Sequence, residues 1–466
     1  MVFCILANSL LYLYVVYPSF RSSIIQTYFI IRYELDHILH SGAEVSCSVD
    51  PVREDAPNII IIMIDTLRID HLSCMGYERE TSSNICSLGE DAVFFPNMIS
   101  NAPTTKEAVA SLFTSKYPSQ HRVVRLNSYL SVEHMTLAEL LKSAGYRTIG
   151  VNANFVVSKY FGFDQGFDVW ADHHYMIASG LNEIVTRDLD GSEPFFMYIH
   201  YLDPHLPYAP PGEYYTHFNP SYSGAVTGRE SILKQHIMER FLNNPEDIQP
   251  LTDYYDNEIY YADVMVGQLI DGLKSRGLYD NSIIILLSDH GEHFGEQDRF
   301  YHGNGVYSSV IRVPLIIRDP VGPKNIEVSS AVQTIDVMPT ILGMIGYKCD
   351  HGFAGDDIFE IMDEEDRPIF SEHLSLMTEF NPARSLRLGN YLLIKDLPSG
   401  EYSLHDVNKD PLEREDVYVT DNSSERLVSI MNSFEEGLSP SMISDGETVE
   451  LDEGAEEELR ALGYVY

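Results

Sequence analysis

Short, uninterrupted apolar runs constrain the fold of this chain more than any other feature. The clearest is NIIIIMID, from Asn58 to Asp65, and comparable runs span residues 148–152, 195–200, 282–289 and 314–318. A strand without polar alternation is covered on both faces, as the inner strands of a parallel sheet are. The runs therefore predict the core strands of an α/β domain.

Helical patterns lie between these runs. Apolar residues recur at the helical period from Met135 to Gly145 and from Glu258 to Gly277. Alternating strands and helices predict a mostly parallel central sheet with helices on both faces. After about residue 360, the short alternating pieces Ser385–Asp396 and Glu401–Val407 predict a smaller antiparallel sheet, followed by a helix near Leu451–Leu462.

The first residues predict a membrane anchor. No residue from Val2 to Phe20 is charged, and a helix of that length approaches the ~30 Å of a bilayer core. A packed or amphipathic helix is the alternative, and the side of the membrane is open. We therefore divide the chain into a membrane-helix region (1–40), a linker (41–57), a catalytic α/β domain (58–360) and a smaller C-terminal subdomain (361–466).

Composition narrows the partners and the metal chemistry. The chain has 31 Lys and Arg residues against 70 Asp and Glu residues, a formal net charge of −39. Such a charge repels phosphate backbones, which excludes nucleic acid as a partner. The five cysteines lack CxxC spacing, which argues against a cysteine zinc site. Each is interpreted as an ordinary buried thiol, although one pair could form a disulfide.

Two strand ends carry residues that bind metals. Asp65 closes the first run, and Asp289 with His290 closes the fourth. Ligands of open α/β sheets lie at the carboxyl ends of the strands, so these side chains are expected to converge. Two carboxylates and one imidazole suit a divalent cation, here Ca²⁺, Mg²⁺, Mn²⁺ or Zn²⁺. Taken singly, each aspartate is equally an ordinary turn residue.

A hydroxyl stands at the predicted start of a helix, at Thr104 or Thr105. As a simple N-cap it would only satisfy backbone amides. The functional interpretation is that a metal-activated hydroxyl there binds and attacks an anionic ester. Lys106 could neutralise the developing oxyanion, with an exposed lysine as the alternative.

Histidines follow the third run in a proline-ordered loop. The segment HYLDPHLPYAPP places His200, Asp203 and His205 at the same sheet edge, and His205 is a candidate acid or anion contact. His302, in a glycine-bearing loop beyond His290, is a further candidate. Structural or solvent-exposed histidines are the alternative.

Taken in order, these segments resemble the sulfatase family of the alkaline phosphatase superfamily. The similar stretches include NIIIIMIDTLRIDHLSCMGY, ASLFTSKYPSQH, FFMYIHYLDPHLPY, LLSDHGEHFGE, VIRVPLIIRDP and, near the C-terminus, NYLLIKD. The resemblance runs from about Asn58 to the C-terminus and implies an alkaline-phosphatase-like fold.

The resemblance also implies roles for individual residues. It implies that Asp65, Asp289 and His290 bind the metal. It further implies that His205 and His302 contact the ester, and that Thr105 stands at the nucleophile position. Possible additional site residues are Thr66, Asp203 and His200.

The chain departs from the family pattern at three places. Sulfatases typically carry Cys or Ser, oxidised to formylglycine, in a C/S-x-P-x-R context, where this chain has TKEAV from Thr105 to Val109. Thr66 replaces the second aspartate of the usual pair. The lysine common before the RVP segment has no counterpart near Tyr301. Threonine nucleophiles do occur in relatives that transfer or hydrolyse phosphoryl groups, such as phosphoethanolamine transferases.

The sequence thus predicts a metal-dependent hydrolase of sulfate or phosphate esters with Thr105 as its metal-activated nucleophile. Its expected substrate is a sulfated or phosphorylated sugar or lipid at a membrane surface. Two alternatives stay open. One is a transferase that moves a phospho-head group onto a surface glycan, and the other is a catalytically silent protein that keeps the anion pocket.

Overall fold

The computed structural model describes residues 56–189, 191, 193–228, 241, 243–347, 352–364, 366–374, 382–438 and 446–462. Its strands are β1 (Asn58–Ile64), β2 (Val93–Ile99), β3 (Arg147–Asn152), β4 (Val169–Asp172), β5 (Phe195–Tyr201), β6 (Ser282–Ser288), β7 (His293–Phe294), β8 (Phe300–Tyr301), β9 (Arg312–Arg318), β10 (Ile326–Glu327), β11 (Val332–Gln333), β12 (Ile369–His373), β13 (Ala383–Leu388), β14 (Tyr391–Asp396) and β15 (Tyr402–Asp406). Its α-helices are α1 (Ser83–Glu90), α2 (Thr105–Thr114), α3 (Pro118–His121), α4 (Leu137–Ala144), α5 (Ala178–Asp188), α6 (Ile248–Ser275), α7 (Ser308–Ile311), α8 (Val337–Met344), α9 (Ile358–Ile361), α10 (Ser424–Gly437) and α11 (Glu453–Ala461).

The central sheet has nine strands. Their order is β10-β2-β9-β6-β1-β5-β3-β4, and β11 also pairs with β2. Strand β1 lies between β5 and β6 and is parallel to both, whereas β9 is antiparallel to β6 and to β2. The predicted mostly parallel sheet is confirmed, and the apolar run at 314–318 belongs to its antiparallel member.

Alternate residues of β1 point into two separate cores. Ile60, Ile62 and Ile64 pack with α1, α5 and α6, while the residues between them pack with α2, α4 and α8. All seven residues of β1 are buried, and each isoleucine buried in this way stabilises the fold by about 1.5–3 kcal/mol. The prediction of helices on both faces is confirmed.

The smaller C-terminal sheet has four antiparallel strands, β12-β13-β14-β15. One face packs on α10 through residues such as Leu427 and Met431. The other face packs on Val306, Val310 and Ile311, which belong to the larger unit. The sheet is thereby fixed against the segment that follows His302.

Helix α6 begins ten residues before the predicted start at Glu258. The early turns contain Asp253 and Asp256, which look like solvent-exposed residues in the sequence. Instead, Arg79 donates hydrogen bonds to both carboxylates, at 2.6 and 2.7 Å. His71 also contacts Asp256 at 2.7 Å. These long-range partners keep the acidic residues inside the helix.

Two further sequence interpretations concern the cysteines and the membrane. The interpretation of each cysteine as a thiol is wrong for one pair, because Cys74 and Cys86 form a disulfide that ties the segment after β1 to α1. The predicted anchor at Val2–Phe20 lies outside the described residues. Among the helices that are described, none combines the length and the apolar character needed to cross a bilayer.

Candidate active site

Strand register brings the two predicted aspartates together. Strands β1 and β6 are parallel neighbours whose last residues, Ile64 and Ser288, are paired. The next residue of each strand is an aspartate, Asp65 and Asp289. Two carboxylates therefore lie side by side at the carboxyl edge of the sheet, where α/β folds bind ligands.

Asp65, Asp289 and His290 form one buried cluster. One ligand atom of each lies within 4.8 Å of the others, and all three side chains are fully buried. His290 Nε2 lies 3.5 Å from Asp289 Oδ2 and 4.0 Å from Asp65 Oδ1. Sequence reasoning predicted this convergence from strand ends alone.

The outer oxygen of each carboxylate is hydrogen-bonded, and the inner one is not. Asp65 Oδ2 accepts a hydrogen bond from Asn154 Nδ2 at 2.6 Å, and Asp289 Oδ1 accepts from the Thr66 and His290 amides at 3.1 and 2.8 Å. Asp65 Oδ1 and Asp289 Oδ2 are buried without a partner among the described residues. Such orphaned oxygens are costly unless a ligand satisfies them, so these residues fit a divalent cation.

The imidazole of His290 completes the donor set. Its Nδ1 donates to the Gly291 carbonyl at 2.9 Å, which leaves the lone pair on Nε2 facing the carboxylates. Burial and the adjacent Asp65 charge raise the pKa of Asp289, as expected for two buried carboxylates that lie side by side.

Thr105 contacts this cluster. It is the first residue of α2 and is fully buried, and its Oγ1 lies 3.1 Å from His290 Nε2. The neighbouring Thr104 hydroxyl donates to the Glu107 carboxylate. Of the two threonines, Thr105 is therefore the one beside the metal-binding residues.

His205 and His302 lie on the same side of the cluster. The His302 ring is centred 4.4 Å from that of His290 and 5.0 Å from that of His205. His302 Nδ1 donates to Glu292 Oε1 at 3.0 Å, and the Tyr208 hydroxyl donates to Glu292 Oε2 at 3.1 Å. An ionised carboxylate can only accept, so Glu292 holds a proton on Nδ1 of His302.

Two candidate site residues, Lys106 and Asp203, contact groups outside the metal-binding cluster. The Lys106 amino group donates to the Leu126 carbonyl at 2.6 Å and lies 3.2 Å from the centre of the Phe161 ring. Lys106 is buried, so its interpretation as an exposed lysine is wrong. Asp203 Oδ2 accepts a hydrogen bond from the Ala178 amide at 2.9 Å and thus holds the start of α5.

The remaining candidates support Asp65 and Asp289. His200 Nε2 lies 3.4 Å from Asp65 Oδ2, and Thr66 contributes its amide to Asp289 from a left-handed conformation (φ 56°). Sequence reasoning missed Asn154. This residue lies just beyond the end of β3, as Asp65 lies just beyond the end of β1, so a search for polar residues at strand ends could have found it. Sequence reasoning also missed Glu292, whose role becomes visible only once His302 folds back onto it.

Comparison with known proteins identifies the family of this chain. The sequence model of the sulfatase family matches residues 57–347, and that of the N-sulphoglucosamine sulphohydrolase C-terminal region matches residues 291–438. The first match covers more than half of the 466 residues. The chain belongs to the sulfatase family. The prediction of an ester hydrolase of this family is thereby confirmed at the level of the family.

Individual members of the sulfatase family are only distantly similar to this chain. The ulvan-active sulfatase of Formosa agariphila is 26% identical over 348 residues, or 66% of each chain. The low-salt glycan biosynthesis sulfotransferase Agl7 of Haloferax volcanii is 25% identical over 328 residues, which is 68% of this chain and 67% of Agl7. A protein solved in complex with its substrate D-glucosamine-2-N,6-O-disulfate superposes with a TM-score of 0.70 at 18% identity, over 85% of this chain and all of that one. The superposition supports the alkaline-phosphatase-like fold.

Proposed function

We propose that this sulfatase-family protein cleaves a sulfate ester of a sugar in a divalent-cation-dependent reaction, with the Thr105 hydroxyl as nucleophile. The observation that carries the proposal is the 3.1 Å contact between Thr105 Oγ1 and Nε2 of His290, a member of the buried cluster. A sugar ester is favoured because one solved structure of this fold holds a glucosamine disulfate and a relative is named for glycan biosynthesis.

The cation would be held by Asp65, Asp289 and His290. Its ligand atoms would be Asp65 Oδ1, Asp289 Oδ2 and His290 Nε2. When bound, it would acidify the nearby hydroxyl and neutralise the ester oxygens. Ca²⁺, Mg²⁺, Mn²⁺ and Zn²⁺ all accept this donor set, and the imidazole gives Mn²⁺ and Zn²⁺ a slight advantage.

In the first step, the Thr105 hydroxyl releases its proton to water, Oγ1 forms a bond to the sulfur, and the bond from sulfur to the sugar oxygen breaks. The leaving alcohol needs a proton, and the protonated form of His302 can donate it. Glu292 stabilises the protonated form of His302 through Nδ1, as a carboxylate does behind a general-acid histidine. His205, with its ring 5.0 Å from that of His302, flanks the same anion.

The second step explains why a transferase is the second candidate. The hydrate of formylglycine has two hydroxyls on one carbon, so after sulfation of one the other can expel sulfate and re-form the aldehyde, whereas threonine has no second hydroxyl there. A sulfated Thr105 must therefore be attacked again at sulfur, either by water or by another alcohol. A sugar hydroxyl in that role would make the protein a sulfotransferase, the activity named for Agl7.

Thr105→Ala and Thr105→Ser test the nucleophile as a matched pair. The substrates are 4-nitrophenyl sulfate and bis(4-nitrophenyl) phosphate, each supplied with the four cations in turn. We expect Thr105→Ala to lose at least about 10³-fold in kcat while Thr105→Ser keeps measurable turnover. Wild-type turnover by Thr105→Ala would refute the nucleophile, and faster cleavage of the phosphodiester would reassign the ester. Failure of the wild type to cleave either ester with any cation would favour the catalytically silent alternative.

Product analysis separates hydrolysis from transfer. With a sugar acceptor present, a hydrolase releases sulfate and nitrophenol in equal amounts. A transferase releases nitrophenol and a sulfated acceptor, with little free sulfate. Mass spectrometry of the acceptor distinguishes the two.

The disulfide supports a proposal for the compartment. Cys74–Cys86 joins two segments of the catalytic part, and structural disulfides persist mainly in oxidising compartments. The proposal therefore places the catalytic part outside the cytoplasm, with residues 2–20 as its anchor. Alkylation of intact cells before lysis, followed by mass analysis of the purified protein, tests this. Labelled Cys74 and Cys86 would contradict it.

A further inference from the structure

A cavity lies between the loop that carries His302 and the small C-terminal sheet. Its volume is about 470 Å³, which is in the range of sites for small molecules. One wall contains Arg299, Asn304 and Tyr307, and the opposite wall contains Asp396, Tyr402 and Asp416. We call it the sheet-side cavity.

The sheet-side cavity lies beside the loop that carries His302. Asn304 in its wall is two residues beyond His302, and two residues of chain span at most about 7 Å. Between them, the Gly303 amide donates to the Pro103 carbonyl at 3.1 Å, just before Thr105 in the chain. Because His302 is proposed to protonate the leaving alcohol, the rest of the leaving sugar chain extends toward this cavity.

The lining has the chemistry of a carbohydrate site. Tyr307 and Tyr402 add aromatic rings to the lining, where Arg299 lies over the Tyr307 ring and Tyr402 stacks on Tyr418. The C–H groups of a sugar can pack against such rings. Asp396, Glu401 and Asp416 can accept hydrogen bonds from hydroxyl groups. With three carboxylates against the one guanidinium of Arg299, the lining repels a sulfate group.

These carboxylates do not have the arrangement of a metal site. In the described part of the chain, the cluster whose ligand atoms are close enough to share an ion is Asp65, Asp289 and His290. Asp396 Oδ1 is instead oriented by the Ser399 amide and hydroxyl, at 2.9 and 2.7 Å. Asp416 Oδ1 is oriented by two backbone amides, at 3.0 and 2.8 Å. Polar groups fixed in advance bind a ligand at lower entropic cost.

We propose that the sheet-side cavity binds an uncharged sugar residue attached to the esterified one. The enzyme would then prefer a sulfate ester whose neighbouring sugar carries no sulfate. The link to catalysis rests on the proposed function, whereas binding of the uncharged sugar does not require turnover.

Two lining variants and two matched controls test the site by binding. Tyr402→Ala removes an aromatic ring from the lining, and Glu401→Gln neutralises an exposed carboxylate of the lining. The controls are Tyr391→Ala, on the same sheet, and Glu415→Gln, also exposed. On an array of uncharged oligosaccharides, we expect the wild type to bind at least one sugar. Tyr402→Ala should bind it about tenfold more weakly and Glu401→Gln about threefold more weakly, with both controls within twofold.

Absence of any binding by the wild type, or wild-type binding by both lining variants, overturns the proposal. Turnover provides the second readout. Tyr402→Ala should cleave 4-nitrophenyl sulfate within twofold of wild type but lose about tenfold in kcat/KM on a sulfated oligosaccharide. Equal losses on both esters overturn the proposal. If the wild type cleaves no ester, the proposed function fails and the array alone decides the cavity.

Discussion

Replacing Glu292 with glutamine tests whether a buried carboxylate positions His302 for proton donation. Glu292 is fully buried and accepts from His302 Nδ1 at 3.0 Å and from the Tyr208 hydroxyl at 3.1 Å. Glutamine keeps the volume, offers its carbonyl oxygen to His302 and can donate from its amide to the Tyr208 oxygen. The substitution therefore removes the negative charge while it preserves the packing.

The size of the effect follows from the lost charge. A hydrogen bond to a charged group contributes about 1.5–3 kcal/mol, against about 0.5–1.5 kcal/mol for a neutral one. Glu292→Gln should therefore destabilise the protonated form of His302 by about 1–2 kcal/mol. At about 1.4 kcal/mol for each factor of ten, kcat falls roughly 5- to 30-fold. KM should change little, because Glu292 acts on the substrate only through His302.

Comparison of two leaving groups makes the assay specific. Nitrophenolate leaves without a proton, so Glu292→Gln should lose more activity on an alkyl sulfate than on 4-nitrophenyl sulfate. Tyr208→Phe is the control, because it removes one hydrogen bond and keeps the Glu292 charge, and its kcat should stay within about threefold of wild type. Unchanged kcat of Glu292→Gln on the alkyl ester, or equal losses in both variants, would refute the reasoning.

Three further predictions concern the surroundings of the site. Reduction of Cys74–Cys86, which closes a loop with a sequence separation of 12, should lower the free energy of unfolding by about 3 kcal/mol in urea titrations with and without reductant. Burial raises the pKa of Asp203 to about 6, so the folded state binds this proton more tightly than the unfolded state. The resulting stability, about 3 kcal/mol below pH 4, is lost as the pH rises through 6. Asp203→Asn keeps an acceptor for Ala178 and should flatten this pH dependence of urea unfolding. Lys106→Met should leave kcat within about threefold, because the amino group contacts Leu126 and Phe161; a larger loss in a folded variant would return Lys106 to the reaction.

Local pattern was sufficient for most of the central sheet and failed where distant partners decide the structure. The apolar runs identified β1, β3, β5, β6 and β9, because strands covered on both faces need no alternation. They could not reveal the direction of β9, which depends on pairing with β6 and β2. Strand β2 was missed because Pro96 interrupts it, and the structure accommodates that proline at a register shift between Phe95 and Met98.

Site residues at strand ends could be predicted from the sequence. Contacts between side chains from separate loops could not. Asp65 and Asp289 follow paired strands, so a sheet model alone brings them together. The pairing of Glu292 with His302 depends on the path of the chain between them, which no periodicity reveals. Asp203 shows the opposite case, since a metal-binding residue type in the right loop holds the first amide of α5 instead.

The segment after Thr105 determines how the charge of a bound ester is neutralised. The family pattern ends in an arginine, and the residue at that position here is Val109. This residue of α2 is fully buried in the core. Lys106 cannot substitute for the arginine while its amino group lies against Phe161. Under the proposed function, positive charge would come instead from a cation held by Asp65 and Asp289 and from the His205 and His302 imidazoles. Under the same proposal, the Thr105 hydroxyl would take the place of the formylglycine of the family pattern, and His205 and His302, which match that pattern, would contact the ester without an arginine beside them.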